Sequence, residues 1–430
     1  MTSVDRVADA RAGEGRPRAE ETDGREEREE RRVEQSQNVV NARARARARS
    51  VVVAVDCNGA DLGPGEVAAG AVLAAGEGAS TILFGPAREL NAAIEGAGGA
   101  PLPVEGAGTI EVVDAPASIA KSPDPARAVR GNPDASIVQA ARAVADGRAQ
   151  ALVCAGGTGA ALAAGLFNIK RARGIHRPAL ALPVPIPQDP PVPPVTLLDV
   201  GANAQARSEH LEQFAFMGAA LAQTVLGVRR PRVGLLSNGE EAERGSPLIV
   251  ETHARLRARV QAAEGDEAVV AATNANTVDT LPFELIGNVE GGDVVSGVAD
   301  VVVTDGFTGN VALKLMEGVS QTLLGAIREA AMSSPTAKLG GLLLKPALGG
   351  LREQIDPEAQ GGAYLLGLRS LGVVPHGAFR RRGFAQAILR ARQGAHDEVI
   401  ARTHASLARA GALREAPASA RVDSLRGNDA

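Results

Sequence analysis

Two kinds of segment alternate along the chain between Val51 and Ala412. Short apolar runs rich in β-branched residues end at Gly or Asp, and alanine-rich stretches of helical length follow them. The short runs predict strands at Val51–Val55, Ser80–Phe84, Ile110–Val113, Ala151–Cys154, Thr196–Asp199, Arg232–Leu236, Glu284–Ile286, Asp300–Thr304 and Gly372–Val374. The longer stretches predict helices at Glu66–Ala75, Ala135–Asp146, Ser208–Val225, Pro247–Ala263, Gly309–Ala330 and Ala385–Ala408. Strands that are apolar throughout are buried on both faces, so the pattern predicts an α/β fold with a mostly parallel sheet between helices.

Four segments depart from this alternation. Residues 1–49 are charged and polar and cannot form a core, so they predict a disordered arm, and residues 413–430 predict a disordered tail. The proline-rich stretch 183–195 is too dense in proline for a helix or a central strand and predicts a surface insertion. The Ala/Leu/Gly-rich stretch 338–371 predicts a helical hairpin. One catalytic domain at 50–412 contains both of these internal segments.

Composition excludes several classes of protein. No apolar run approaches the ~20 residues that cross a bilayer, and no apolar stretch follows the charged start, so neither a membrane span nor a secretory signal is expected. Two cysteines cannot form a disulfide framework, which indicates a reducing cytoplasm. A net charge of −4, with eight Phe, one Tyr and no Trp, argues against nucleic-acid binding.

Four predicted strands run directly into glycine-containing loops that precede helices. These loops lie at 55–61, 154–160, 198–203 and 304–310. Glycine lets backbone N–H groups approach a ligand, and a helix N-terminus adds partial positive charge, so such loops suit phosphate or a developing oxyanion. The residues predicted to bind phosphate are Gly156, Gly157, Thr158, Gly159, Gly309 and Asn310. Lys314 lies one helical turn beyond Asn310, where it could supply a countercharge.

Other chemistries find little support in the sequence. The six histidines show no ligand spacing with one another or with cysteine, so no metal site is predicted. No nucleophile-elbow serine and no dinucleotide-binding glycine fingerprint is present, which argues against a serine hydrolase and a hydride-transferring enzyme. Cys154 ends an apolar strand and is interpreted as buried packing.

Several collinear motifs, taken with these loops, resemble one family from about Val51 to Ala408. They are GLF at 165–167, GIHRPAL at 174–180, LLDVGAN at 197–203, EHLEQFAFMG at 209–218, PRVGLL at 231–236, IGNVEG at 286–291 and ADVVVTDGFTGNVALKLMEG at 299–318. The chain is similar here to the bacterial phosphate acyltransferases that use acyl carrier protein in phospholipid synthesis. It departs from the family's usual pattern in the loop at 58–64 and at Gly157, where the family has Asn.

The resemblance implies a Rossmann-like α/β/α fold related to phosphotransacetylases, with a protruding helical hairpin, a homodimer and no cofactor. The implied reaction moves a fatty acyl group from acyl carrier protein to inorganic phosphate. The acyl phosphate then feeds a membrane-bound glycerol-3-phosphate acyltransferase. Such a protein is expected in the cytoplasm, associated peripherally with the inner face of the membrane.

Phosphate attack on a thioester needs an anion site, donors for the tetrahedral oxyanion and a route for protonating the thiolate. Asn203 is the predicted oxyanion donor and Lys314 the predicted phosphate countercharge. Candidate acid/base or orienting groups, which the sequence does not rank, are Asp56, Asp199, Asp305 and His376. An exposed arginine run, Arg380, Arg381 and Arg382, is predicted to dock the acidic carrier.

Two other functions stay open at this stage. A phosphotransacetylase-type enzyme acting on coenzyme A esters could use the same fold and loops without a protein partner. A catalytically weak relative acting as a scaffold at the membrane surface would explain the altered loops at 58–63 and Gly157.

Overall fold

The computed structural model describes residues 51–98, 108–188, 192–265, 282–354 and 356–414. The predicted N-terminal arm, most of the predicted C-terminal tail and residues 189–191 of the proline-rich stretch lie outside these ranges. The strands are β1 (Val52–Asp56), β2 (Ser80–Gly85), β3 (Ile110–Asp114), β4 (Ala151–Cys154), β5 (Ala179–Val184), β6 (Val195–Leu198), β7 (Arg232–Leu236), β8 (Glu284–Val289), β9 (Val301–Val303), β10 (Ala363–Leu366) and β11 (Leu371–Val374). They form one sheet in the order β3-β2-β1-β4-β11-β10-β5-β6-β9-β7-β8.

Two groups of parallel strands make up most of this sheet, and they run in opposite directions. The strands β3, β2, β1, β4 and β11 are parallel to one another, as are β6, β9, β7 and β8. The pairings β11–β10, β10–β5 and β5–β6 are antiparallel, so three reversals separate the groups. The carboxyl ends of the first group therefore lie at one edge, which we call the first edge. Those of the second group lie at the opposite edge, the second edge.

Helices cover both faces of the sheet. They are α1 (Pro64–Gly76), α2 (Ala87–Gly96), α3 (Pro125–Gly131), α4 (Ser136–Ala145), α5 (Thr158–Ala164), α6 (Ser208–Thr224), α7 (Pro247–Gly265), α8 (Gly306–Met332), α9 (Pro335–Gln354), α10 (Arg381–His396) and α11 (Val399–Arg409). A π-helical turn at Gly165–Ile169 continues α5, and single 3₁₀ turns lie at Asp293–Val295 and Pro357–Gln360. The structure confirms the predicted α/β/α architecture.

Side chains that alternate along each strand supply two separate cores. In β1, Val53 and Val55 pack with α1, α6 and α10, whereas Ala54 faces the other core with α4 and α5. The period of two along a strand sends successive side chains to opposite faces, and burial of both faces explains why the strands are apolar throughout. No helix among the described residues is long and apolar enough to cross a membrane.

Two central strands were missed by the sequence analysis. The strand β5 includes Pro183, inside the stretch predicted to be a surface insertion. Its partner β10 pairs with β5 only as far as Ala181, so the missing N–H of Pro183 falls where only β6 is paired. The strand β10 lies inside the stretch 338–371 that was predicted to be a helical hairpin. Its residues Tyr364, Leu365 and Leu366 are instead buried in the middle of the sheet.

Three boundaries also differ from the predictions. The hairpin consists of α8 and α9, spanning 306–354, and the predicted final helix is two helices. The folded body extends past 412, since Leu413 packs against the core and the Arg414 N–H donates to Gly174 O at 2.8 Å. The observed hairpin begins earlier than the predicted one because its first helix, α8, starts directly after β9 and continues well past the sheet.

Candidate active site

The four glycine-containing loops form two groups rather than one. The loops at 55–61 and 154–160 follow β1 and β4 at the first edge, whereas those at 198–203 and 304–310 follow β6 and β9 at the second edge. Gly156 to Gly159 therefore lie at the opposite edge from Gly309 and Asn310. The direction of the strands places the six residues predicted to bind phosphate in two groups within the chain, and their role in binding phosphate stays a prediction.

A buried carboxylate organises the first edge. Ser136 Oγ donates to Asp56 Oδ1 at 2.6 Å, and Cys154 Sγ donates to Asp56 Oδ2 at 3.4 Å. Asn58 Nδ2 donates to Ser136 Oγ at 2.9 Å and to Ala115 O at 3.0 Å. Burial raises the pKa of Asp56 to about 6, although these hydrogen bonds act in the opposite direction. Asp56 is only 2% exposed, so it holds the loops together rather than facing a ligand.

A cavity of about 410 Å³ lies beside the loop that carries Gly59. Ser118, Lys121 and Ser122 contribute polar groups to its lining, and Gly59 contributes backbone. The segment that carries Lys121 crosses directly over the first two loops, since a Cβ at Gly59 or Gly156 would lie within 3 Å of the Ala120 side chain. The first edge thus offers an exposed cation, Lys121, beside a cavity, and Lys121 is not among the residues predicted from the sequence.

His376 and the arginine run also lie at the first edge. His376 follows β11, its Nδ1 accepts from Ala378 N at 3.2 Å, and its side chain is exposed. Arg381 forms an ion pair with Glu66 at 3.1 Å, whereas Arg380 and Arg382 are exposed without an ion pair among the described residues. These predicted groups therefore lie at the opposite end of the strands from Asn203, Asp199, Asp305 and Lys314.

Asp199 organises the second edge through five hydrogen bonds. Its Oδ1 accepts from the N–H groups of Leu180, Gly201 and Ala202 at 3.2, 3.2 and 2.8 Å. Its Oδ2 accepts from the backbone and side-chain nitrogens of Asn203 at 2.9 and 2.8 Å. Burial raises the pKa of Asp199, and the bonds from Ala202 and Asn203 oppose that rise. Its oxygens are committed, so Asp199 positions the loop and is not a free acid or base.

The Asn203 amide is committed in the same way. Its Nδ2 donates to Pro178 O at 2.7 Å and to Asp199 Oδ2 at 2.8 Å, which uses both of its N–H groups. Asn203 would have to release one of these bonds to donate to an oxyanion, and its role as the oxyanion donor stays a prediction. Through Pro178 the residue joins the GIHRPAL and LLDVGAN segments. Gly306 N also donates to Asn203 O at 2.9 Å, which ties the loop after β9 to them.

Asp305 caps the N-terminus of α8. Its Oδ1 accepts from Phe307 N and Thr308 N at 3.0 Å each, and Thr308 Oγ1 donates to Oδ2 at 2.7 Å. A capping carboxylate satisfies the amides that would otherwise face an anion. Asp305 is therefore a helix cap in this structure, and its role as an acid, base or orienting group stays a prediction. Gly309 is required here because a Cβ would collide with Asp199 O.

Asn310 and Lys314 are the predicted residues left accessible at the second edge. Asn310 is exposed beside Gly201, and its side chain has no hydrogen bond among the described residues. Lys314, 57% exposed, forms an ion pair with Glu317 at 2.8 Å, and exposed pairs of this kind are weak. The loop after β7, the neighbour of β9, brings an exposed Arg244 to the same edge. This edge can bind an anion through side chains.

A cluster that sequence spacing did not predict lies at the same edge. The ligand atoms of His176, Glu209 and His210 are within 4.8 Å of one another. Burial lowers the pKa of both histidines, the Glu209 carboxylate opposes that shift, and arginines, including Arg171 for His176 and Arg207 for His210, add to it. His210 Nδ1 also accepts from Arg207 N at 3.2 Å. Two imidazoles and a carboxylate this close together suit proton transfer, and the same three groups could hold a metal ion. Only the tertiary fold brings these histidines together.

Comparison with known proteins identifies relatives over most of the chain. Residues 51–402 match the family model described as fatty acid synthesis protein. The phosphate acyltransferase of Heliobacterium modesticaldum is 39% identical over 351 residues, which cover 81% of this chain and 95% of the relative. The phosphate acyltransferase of Moorella thermoacetica is 39% identical over 337 residues, which cover 78% and 90%.

Solved structures also resemble the chain. EutD phosphotransacetylase from Staphylococcus aureus has a TM-score of 0.47 and 17% identity, covering 80% of this chain and 94% of its own. A phosphotransacetylase from Streptococcus pyogenes has a TM-score of 0.49 and 15% identity, covering 83% and 98%.

Proposed function

This chain belongs to the fatty acid synthesis protein family, and we propose that it transfers a fatty acyl group from acyl carrier protein to inorganic phosphate. The relatives in this family are phosphate acyltransferases, and the chain is an acyltransferase enzyme. The acyl phosphate product would supply phosphatidic acid synthesis through a membrane-bound glycerol-3-phosphate acyltransferase. The proposal extends the family assignment to the identity of the acyl donor and the fate of the product.

The reaction needs few protein groups. A phosphate oxygen bonds to the thioester carbonyl carbon, and the carbonyl oxygen becomes a transient oxyanion. The carbon–sulfur bond then breaks, the thiolate leaves, and a proton converts it to the free thiol of the carrier. A thiolate leaves readily, so positioning of phosphate and donors for the oxyanion dominate catalysis.

The accessible Asn310 amide is the observation that carries our placement of the site at the second edge. Its Nδ2 is an uncommitted donor beside a loop that Asp199 holds in place, so it is available to donate to the oxyanion. Lys314, one helical turn away, supplies the positive charge for phosphate by releasing its exposed contact with Glu317. Arg244 adds a second cation at the same edge, and His176 or His210 can relay the proton to the thiolate.

An acidic carrier protein fits the charge around this edge. Arg177 and Arg207 are exposed there, close to the histidine cluster. The arginine run at 380–382 is exposed, but it lies at the first edge, away from the proposed site. Its role as the docking surface for the carrier stays a prediction. We further propose a homodimer in the cytoplasm that associates peripherally with the inner face of the membrane. The long apolar face exposed on α8 and α9 supports both associations.

Phosphate-dependent release of carrier thiol tests the proposed function. The chain is given the same sixteen-carbon acyl group on acyl carrier protein and on coenzyme A, with and without phosphate. Free thiol is measured with a thiol reagent, and acyl phosphate is trapped with hydroxylamine as the hydroxamate. We expect both products only with phosphate, and faster turnover of the carrier thioester.

Two other outcomes would replace this proposal. Faster turnover of the coenzyme A ester would identify a phosphotransacetylase-type enzyme. No phosphate-dependent product from either donor, with intact binding to anionic vesicles, would support the scaffold alternative.

A further inference from the structure

The cluster of His176, Glu209 and His210 at the second edge brings together three groups that bind transition metals. One ligand atom from each residue lies within 4.8 Å of the other two. Among the described residues, neither imidazole forms a hydrogen bond or an ion pair with the Glu209 carboxylate. The fold therefore places the three groups side by side without any of them satisfying another.

The separation of these atoms is close to that of a tetrahedral zinc site. Zinc binds histidine nitrogen and carboxylate oxygen at about 2.0–2.2 Å, so its ligand atoms lie about 3.4 Å apart. Atoms within 4.8 Å of one another reach this arrangement when each moves inward by about 1 Å or less. His176 and Glu209 are half-buried, so solvent reaches the cluster and can supply a water as the fourth ligand.

A buried glutamine holds the two sides of the cluster together before any ion binds. Glu209 and His210 lie in the first turn of α6, and Gln213 follows one turn later. Gln213 is 1% exposed, its Oε1 accepts from His176 N at 2.8 Å, and its Nε2 donates to Gly174 O at 2.9 Å. The segment that carries His176 is thus already fixed against the helix that carries the other two ligands, so an ion need not order it.

The contacts that compete with an ion are weak or already compensated. Arg207 lies 3.7 Å from the Glu209 carboxylate and its side chain is 78% exposed, so this ion pair is weak. Arg207 N also donates to His210 Nδ1 at 3.2 Å. Coordination opens this contact, because either Nδ1 binds the ion or Nε2 binds it and the ring proton moves to Nδ1. Arg255, a further cation near the cluster, is paired with Glu212 at 2.8 Å.

The mixture of ligands selects the class of ion. Two imidazoles and one carboxylate suit Zn²⁺, whereas Mg²⁺ and Ca²⁺ are bound mainly through oxygen. We propose that His176, Glu209 and His210 form a site for Zn²⁺, and that the bound ion inhibits acyl transfer. The site stands on the contacts above, and the inhibition rests on the proposed function. Coordination uses the ring lone pair that accepts a proton, so a histidine bound to Zn²⁺ no longer relays a proton to the leaving thiolate.

Zinc binding tests the site without reference to activity. Chelator-treated protein is titrated with Zn²⁺ against a chromophoric chelator, and the natural chain should bind one Zn²⁺ per chain, with no competition from equal Mg²⁺. His176→Ala and Glu209→Gln should each weaken binding by more than the about 10–100-fold that loss of a second-shell partner costs. His404→Ala is the matched control, because His404 is half-buried like His176 and lies outside the cluster. Circular dichroism confirms that each variant is folded.

Acyl transfer tests the inhibition in a buffer that fixes free Zn²⁺. Each rate is divided by the rate of the same protein after chelator treatment. Saturating Zn²⁺ should slow the natural chain and His404→Ala by at least about tenfold, less than a positioned acid or base usually contributes because a thiolate leaves readily. Added chelator should restore both rates. Glu209→Gln keeps both imidazoles but should need at least about tenfold more Zn²⁺ for the same inhibition.

The result that would overturn the site is equal zinc affinity in the natural chain and in both cluster variants, which would mark the binding as adventitious. Binding of one Zn²⁺ per chain with an unchanged transfer rate would overturn the inhibition. Failure of the proposed function is distinguishable, since the chelator-treated natural chain would then form no acyl phosphate while its zinc binding persisted.

Discussion

Replacing Asp199 with asparagine probes the loop that positions the second edge. The substitution keeps the size of the side chain but replaces one carboxylate oxygen, an acceptor, with an amide NH2 group, a donor. Three N–H donors face Oδ1, and two face Oδ2, so whichever way the amide turns, at least two donors lose their acceptor. The amide should place its oxygen at the three-donor position and its nitrogen against Asn203.

The structure sets the size of the expected loss. Hydrogen bonds to a charged group contribute about 1.5–3 kcal/mol each, so losing two costs about 3–6 kcal/mol of unfolding free energy. The same substitution in the neighbouring loop is the control. Asp305→Asn retains an oxygen for Phe307 N and Thr308 N, and asparagine is as good an N-cap as aspartate, so it should cost less than about 1 kcal/mol.

Urea unfolding followed by far-ultraviolet circular dichroism compares the two variants, since the chain has no Trp. The acyl-transfer assay is run on the same samples at temperatures where each is folded. Asp199→Asn should lose activity because Asn203 no longer fixes the loop beside Asn310. Equal stability losses in the two variants would refute the argument that Asp199 is the organising group.

Further predictions follow from the same contacts. Lys314→Ala should raise the KM for phosphate and lower kcat/KM by a factor that corresponds to about 1.5–3 kcal/mol of transition-state stabilisation. Unchanged phosphate kinetics would show that Lys314 is a solvated surface residue. The raised pKa of Asp56 contributes stability that is present below pH 3.8 and lost as the pH rises toward 6, a change of about 3 kcal/mol that Asp56→Asn should abolish in pH-dependent unfolding. Deleting residues 1–49 should leave the melting temperature and transfer rate nearly unchanged, and a large loss would show that the arm packs on the body. Replacing Arg380–Arg382 with serine should flatten the salt dependence of kcat/KM for the carrier if this run docks it, whereas equal slopes would favour the arginines of the second edge.

Much of the fold could be predicted from the sequence because its strands are buried on both faces. The runs at Val51–Val55 and Ala151–Cys154 correspond to β1 and β4 within one residue. The strand β5 escaped detection because it contains Pro183, and β10 because it lies in an Ala/Leu/Gly-rich stretch that favours a helical interpretation. The local sequence pattern cannot show that Pro183 lies at a position where β10 no longer pairs with β5, so that its missing N–H is tolerated.

The candidate site was predicted less well, because hydrophobic pattern does not give the direction of a strand. Three antiparallel pairings place the loops after β4 and β9 at opposite edges, although both read alike as glycine-containing loops before helices. The cap formed by Asp305 could have been predicted, since an aspartate directly before a helix is a start signal. The bonds of Asn203 to Pro178 and Asp199 depend on tertiary contact, and no local signal reveals them.

The most direct test of the account follows transfer of the acyl group to labelled phosphate in three proteins. These are the natural chain, Asn310→Ala at the second edge and Lys121→Ala at the first-edge cavity. The natural chain should form labelled acyl phosphate from acyl-carrier protein, Asn310→Ala should lose on the order of 100-fold in kcat, and Lys121→Ala should retain the natural rate. Loss of product in Lys121→Ala with an unaffected Asn310→Ala would contradict the second-edge site, and no labelled product from the natural chain would contradict the function itself.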